Sequence, residues 1–282
     1  MSGTLPQGAF DTIANLLKAR SGLAIGRDKL YLLDTRLAPI LKRHELRDLT
    51  ALAERLRMPR MDVLAQEVVE AMTTNESLFF RDDKPFEHVR TQALPRLHAA
   101  RPPGTPLRIW SAASSSGQGA YSLAMTLTDM RATLGDRRVE IIGTDIAREQ
   151  LARAREGLYS QFEVQRGLPI QSLLKNFTQE GNQWRVSDRL RRMVSFRTFN
   201  LLDDFGWLGE IDLVFCRNVL LYFDGPSRTM IFAKLADILT PDGTLVLGAT
   251  ESADAFVAVS DAPRGFFVRP RGAATRATVL AG

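Results

Sequence analysis

From Leu107 onward, short apolar runs alternate with amphipathic stretches, and this alternation constrains the fold more than any other feature of the chain. The apolar runs are Leu107 to Trp110, Val139 to Gly143, Val194 to Phe199, Ile211 to Cys216 and Thr244 to Gly248. Helical patterns fit Ala120 to Leu134, Arg148 to Glu156 and Ser227 to Leu239. Alternating β and α elements predict an α/β domain built on a parallel sheet with helices on both faces. The alternation breaks between Gly157 and Arg192, about 35 residues, which is too long for a simple connection. Gly181-Asn182 lies there next to Gln183-Trp-Arg-Val186, so the stretch 157–192 is expected to be an inserted small antiparallel β-subdomain joined by a turn.

The first third reads as all-α. Phe10, Ile13, Leu16 and Leu17 have helical spacing, with a stop at Ser21-Gly22. Leu30, Leu33, Leu37 and Leu41 form a second apolar stripe, and Pro39 inside it is expected to kink or split that helix. Asp48 is placed to cap a third helix, and a fourth runs from Asp62 to Met72. The Pro-rich stretch from Arg101 to Pro106 is the best linker. The expected division is therefore a helical domain over 1–95, a linker over 96–106, and a second domain over 107–282 whose tail, from Arg271, frays.

Charge distinguishes the two parts. Residues 1–60 hold eleven cations and six anions, which equals the whole chain's net charge of +5. Lys29, Arg36, Arg43 and Arg47 share one stripe of the second helix. Such a surface steers acidic partners, whether nucleic acid or acidic protein, unless it is simply a solvated face. The single cysteine, Cys216, cannot form an internal disulfide, and neither a signal peptide nor an apolar membrane span is apparent, so a cytoplasmic protein is expected. His44, His88 and His98 lack ligand spacing, so no metal is expected.

The first strand runs into Ser111-Ala-Ala-Ser-Ser-Ser-Gly-Gln-Gly-Ala120, whose small residues allow close backbone approach to a ligand. The full G-x-G-x-x-G pattern and the P-loop Lys-Ser/Thr pair are both missing, which disfavours a pyrophosphate ligand and an NAD-dependent dehydrogenase. Asp145 ends the second strand, where an acid either accepts ribose hydroxyls or caps the next helix. An adenosine ligand without a diphosphate fits, and S-adenosylmethionine meets that description. Arg217 and Asn218 end the fourth strand and Asn200 follows the third, where ligands of open α/β sheets bind. Tyr222 is a further candidate, or an aromatic packed under the next helix. Cys216 reads as a small core residue.

Several segments together resemble the CheR-type chemotaxis receptor methyltransferases. They are Thr74-Asn-Glu-Ser-Leu-Phe-Phe-Arg-Asp82, Trp110-Ser-Ala-Ala-Ser-Ser-Ser-Gly117 with Tyr121-Ser-Leu-Ala124, and Gly143-Thr-Asp-Ile146. Asn200-Leu201, Phe215-Cys-Arg-Asn-Val-Leu-Leu-Tyr-Phe-Asp224, Pro241-Asp-Gly243 and Glu251-Ser252 complete the set. The resemblance implies a small helical domain followed by a Rossmann-like methyltransferase domain with an inserted β-subdomain. It also implies S-adenosylmethionine contacts at Asn75, Ser77, Arg81, Gln118, Asp145, Asn200, Leu201, Arg217 and Asn218. The implied reaction is methyl ester formation on glutamate side chains of chemotaxis receptors, with Arg81 and Tyr222 shaping the transfer site; Arg81 could instead pair with Asp82 or Asp83. The implied partner is the cytoplasmic domain of those receptors, met by the basic N-terminal helix, with no nucleic acid and no membrane insertion.

The sequence departs from the family pattern in places. Ser77 stands where threonine is common and keeps the hydroxyl. Gln118 stands where many members have glutamate, keeping an acceptor oxygen without the charge. Gly119-Ala120 replaces a Glu-Pro pair. Phe177 to Arg185 is shorter than in members that dock on a receptor's C-terminal pentapeptide, which predicts independence from that tether. Two other readings stay open. A nucleic-acid methyltransferase is disfavoured because Arg217-Asn-Val-Leu replaces the Asn/Asp-Pro-Pro-aromatic motif. A regulator that binds the cofactor without catalysis is left open by Gln118 and Gly119-Ala120.

Overall fold

The structure, a computed structural model, describes residues 5–270, so the tail expected to fray lies outside the described residues. By contacts the chain forms two units: residues up to Thr74 with Asn200–Leu202 and Tyr222–Arg228, and the remainder.

The first unit is helical. Helix α1 (Gln7–Ser21) buries Phe10, Ile13 and Leu17 and ends on Gly22, whose φ of 72° is the left-handed cap that glycine adopts without strain. Helix α2 (Leu30–Arg43) buries Leu33, Leu37 and Ile40. It runs unbroken through Pro39, against the expected split, because buried residues on both sides of the proline keep one apolar face engaged. Helix α3 (Leu49–Leu56) starts where Asp48 accepts a hydrogen bond from the Ala51 N–H at 2.8 Å. Helix α4 (Asp62–Met72) buries Val68, Val69 and Met72. Its terminal carbonyls are capped by Arg36, which donates to Met72 O at 2.7 Å and Thr73 O at 3.2 Å. Arg43 pairs with Glu67 at 2.9 Å and Arg47 with Asp48 at 3.4 Å. Three of the four cations of the α2 stripe thus have partners within this unit.

The second unit is a Rossmann-like mixed sheet. Its strands are β1 (Leu107–Ala112), β2 (Val139–Asp145), β6 (Val194–Thr198), β7 (Ile211–Cys216), β8 (Leu239–Val246), β9 (Val257–Ala258) and β10 (Phe266–Val268). The order is β6-β2-β1-β7-β8-β10-β9, parallel from β6 to β8 and antiparallel beyond. The strand order reverses at β1, so the carboxyl ends of β1, β2 and β7 flank the switch point where such sheets take ligands. Helix α7 (Gln118–Asp129) follows β1 and buries Ala120, Leu123, Ala124 and Leu127. The helix expected to reach Leu134 is interrupted at Met130. Strand β8 begins at Leu239, earlier than expected, with Pro241 and Asp242 exposed.

Helices α5 (Lys84–His88) and α6 (Leu94–Ala100), joined by a π-helical stretch over Val89–Ala93, belong to this unit. The sequence reading placed residues up to 95 with the helical domain. Phe86, Val89, Leu94 and Leu97 instead share the apolar core with Leu107 and Ile109, and that burial draws the segment onto the sheet. The stretch 157–192 folds into a three-stranded antiparallel sheet of β3 (Leu158–Ser160), β5 (Gln183–Val186) and β4 (Phe177–Glu180). Gly181-Asn182 forms the two-residue turn between β4 and β5, with Gly181 at φ 60°. Among the described residues no helix is long and apolar enough to cross a membrane.

Candidate functional site

The loop after β1 is contorted and buried. Ala113, Ser115 and Gly117 have φ of 50°, 49° and 94°. Left-handed backbone at two non-glycine residues is uncommon and has to be held in place. Asp145, 7% exposed, holds it: one carboxylate oxygen accepts from the Ser115 N–H at 2.8 Å and the other from the Ala147 N–H at 2.9 Å. The second of these bonds is a local turn to the residue that precedes helix α9 (Arg148–Glu156).

Other supports are neutral. Ser115 Oγ donates to Asn75 O at 3.1 Å, which ties the 73–78 loop to this one. Tyr159, from β3 of the inserted subdomain, donates to Ser116 O at 2.6 Å, and Tyr121 donates to Ala154 O at 2.7 Å. Burial pushes the Tyr121 phenol up to about 12 and that of Tyr159 well above its ordinary value, so both remain donors. Gln118, the first residue of α7, is 1% exposed, and its Oε1 accepts from Ser116 Oγ at 2.9 Å.

The end of β7 is charged. Arg217, its side chain 7% exposed, donates to Arg81 O at 2.8 Å and to the Asp82 carboxylate at 2.5 Å. Burial lowers its affinity for the proton, Asp82 opposes that, and the neighbouring Arg81 guanidinium adds to it. The loop that Arg217 grips has left-handed backbone at Phe80, Asp82 and Asp83, with φ of 46°, 67° and 42°. Because Asp82 is engaged by Arg217, Arg81 forms no ion pair among the described residues and lies half-buried beside a second guanidinium. Asn218 has φ 57°, and its side-chain Oδ1 is buried with no hydrogen-bond partner among the described residues. Burial raises the Cys216 thiol well above its ordinary value, so it stays neutral in the core, as the sequence reading had it.

The remaining candidates divide. Ser77 is half-buried near the start of the second unit. Asn200, Leu201 and Tyr222 group by contacts with the first unit. There Asn200 Nδ2 donates to Arg20 O at 2.6 Å and its Oδ1 accepts from the Leu202 N–H at 3.0 Å, while Leu201 is buried. Tyr222 is half-buried and its carbonyl accepts from the Ala24 N–H at 3.4 Å.

Sequence reasoning assigned no role to Ser115, Tyr159 or Glu251. Asp82 and Glu251 stand inside quoted motifs, and Asp82, read as a possible partner of Arg81, pairs with Arg217 instead. Tyr159 lies in the insertion, which carried none. The residues fit an amino-acid-bearing nucleoside: a neutral loop without lysine, a guanidinium in reach of a carboxylate, and an unmet buried acceptor at Asn218 Oδ1 suited to a donor.

Comparison with known proteins agrees. Residues 75–261 match the family model described as CheR methyltransferase, SAM binding domain, and residues 8–73 match that of the CheR methyltransferase all-alpha domain. A chemotaxis protein methyltransferase of Pseudomonas putida is 37% identical over 247 residues, 86% of this chain and 90% of that protein. Chemotaxis protein methyltransferase 1 of Pseudomonas aeruginosa is 39% identical over 86% of this chain and 89% of its own length. A chemotaxis protein methyltransferase of Vibrio parahaemolyticus is 36% identical over 88% of this chain and 90% of its own.

Proposed function

Because the chain belongs to the CheR methyltransferase family, and is an S-adenosylmethionine-dependent methyltransferase of the chemotaxis type, we propose that it esterifies glutamate side chains on the cytoplasmic domain of chemotaxis receptors. The observation that carries the reading is Arg81: a half-buried guanidinium without an ion pair among the described residues, on a strained loop clamped by Arg217. A planar fork of this kind recognises a carboxylate, either the substrate's or the cofactor's own.

S-adenosylmethionine supplies a methyl group on a cationic sulfur. The protein's part is to bind, orient and exclude water. A glutamate carboxylate, with a reference pKa near 4.3, is already ionised at neutral pH, so the absence of an acid-base pair among the assigned residues suits this reaction. In-line positioning supplies up to about 7–11 kcal/mol. Asn75, Ser77, Gln118, Asp145, Arg217 and Asn218 are assigned to the cofactor, with Arg81 shared between cofactor and acceptor. For Asn200, Leu201 and Tyr222 the assignment rests on the family resemblance. The basic segment 1–60 suits an acidic receptor surface in the cytoplasm, reached without nucleic acid or membrane insertion. The two-residue turn between β4 and β5 supports independence from a receptor-tail pentapeptide; saturable pentapeptide binding in a calorimeter would contradict that point.

Transfer of labelled methyl to receptor-enriched membranes, read as base-labile release, tests the activity. Label is expected with the wild-type chain. Arg81→Ala and Tyr222→Phe are each expected to lower kcat about tenfold or more. Unchanged rates in both variants would remove these residues from the transfer site. Cofactor binding with no label on any receptor would favour the non-catalytic regulator instead.

A further inference from the structure

We propose that Glu251 is a positioning residue for cofactor binding: it fixes the turn after β7 so that Asn218 Oδ1 is presented as an acceptor. The proposal rests on the reading that this site takes S-adenosylmethionine.

Both oxygens of Glu251 are used on backbone alone. Oε2 accepts from the N–H groups of Asn218 and Gly248, each at 2.7 Å, and Oε1 from those of Val219 at 3.0 Å and Leu221 at 3.2 Å. One carboxylate therefore gathers four N–H donors from two chain segments, the turn after β7 and the end of the β8 segment. An ionised carboxylate only accepts, and bonds to it are among the strong ones. The Glu251 N–H in turn donates to Gly248 O at 3.0 Å, closing a reciprocal pair. Three of the four donors lie within the stretch 218–221, which includes the left-handed Asn218. That conformation needs outside support in a non-glycine residue. A side chain at position 248 is excluded by the same arrangement, because a Cβ there would lie 2.8 Å from both Asn218 Nδ2 and Glu251 Oε2.

The consequence is at Asn218. With its N–H committed to Glu251, its side chain is directed so that Oδ1 is buried with no partner among the described residues. A buried acceptor left unmet is costly, and it is the kind of group a ligand donor satisfies. Glutamine at position 251 would face two N–H groups with its own NH2, so Glu251→Gln loses half of the clamp without changing its size.

Binding of S-adenosylhomocysteine is measured by calorimetry on the full chain in a double-mutant cycle of Glu251→Gln and Asn218→Ala. Each single variant is expected to raise Kd about tenfold, equivalent to about 1.4 kcal/mol. The double variant is expected to be no weaker than the worse single, because Glu251 acts through Asn218. Additive losses, or a Glu251→Gln chain with wild-type Kd, would overturn the proposal. Should Glu251→Gln fail to fold, by its circular dichroism, Glu251→Asp takes its place in the same cycle. A wild-type chain that binds no S-adenosylhomocysteine would sink the functional reading itself, a result distinct from additivity.

Discussion

The loop after β1 and the turn after β7 lie at neighbouring strand ends of one sheet, both with left-handed non-glycine backbone, yet they are held by opposite means. The first is held by the neutral hydroxyls of Tyr159 and Ser115 together with the Asp145 carboxylate. The second is held by charge: Arg217 on Asp82 and Glu251 on four N–H groups. Under the proposed function the first region would meet the cofactor's uncharged body and the second its charged end, where preorganised charges cost no rearrangement when a ligand arrives.

The largest break in this comparison is expected at Gly117. Alanine there would hold φ near 94° and put its Cβ 2.9 Å from that of Ala154 and 3.2 Å from the Tyr159 hydroxyl. Gly117→Ala should lower stability by about 2–4 kcal/mol, read from the midpoint of chemical denaturation. An unchanged midpoint would show that the loop is not held as tightly as its contacts indicate. The charged turn is tested by Asp82→Asn, which leaves Arg217 buried without its counter-ion. Because the Asp82 side chain is 56% exposed, the cost is discounted from that of a fully buried pair to about 1–3 kcal/mol. Added salt should weaken the wild-type turn more than the variant's, and equal salt slopes in thermal denaturation would count against a charge-held turn.

The smallest effect concerns the support beneath the neutral loop. After Tyr159, Ser160 and Glu163 form a reciprocal cap on the short helix Gln161–Gln165, and Arg153 pairs with Glu163 at 2.8 Å. Burial pushes the Glu163 carboxyl up, but the Ser160 N–H and hydroxyl together with Arg153 outweigh it and hold the group below the usual range. A depressed folded-state pKa contributes stability that is present above the unfolded value near 4.3 and lost as pH falls through the folded value. Glu163→Gln should cost about 0.5–1 kcal/mol at neutral pH and flatten the acid limb of the stability profile. An acid limb identical to wild type would mean that Glu163 does not contribute to it.

Much of this molecule was legible in the sequence. The helical caps at Gly22 and Asp48, the strand at Ile211 to Cys216 and the turn at Gly181-Asn182 each follow from local rules. Those rules concern a few neighbouring residues: periodicity, a capping side chain, a glycine where φ is positive. The motif of residues 74–82 and that of 215–224 also carried the family. Local rules allowed a kink or a split at Pro39, of which packing on both sides excludes the split, and they misplaced the segment 75–95, whose apolar face is drawn to a sheet that begins only at Leu107.

Partner choice was decided by tertiary structure alone. Nothing in the sequence says that Arg217 takes Asp82, 135 residues away, or that Glu251 gathers N–H groups some 30 positions back along the chain. Nor does it say that a tyrosine of the insertion reaches Ser116. Parallel strands need crossovers, and crossovers bring residues distant in sequence to one end of the sheet. The sequence by itself determined which elements form and which residue types stand at the strand ends. Which donor meets which acceptor there depends on where the crossovers return the chain.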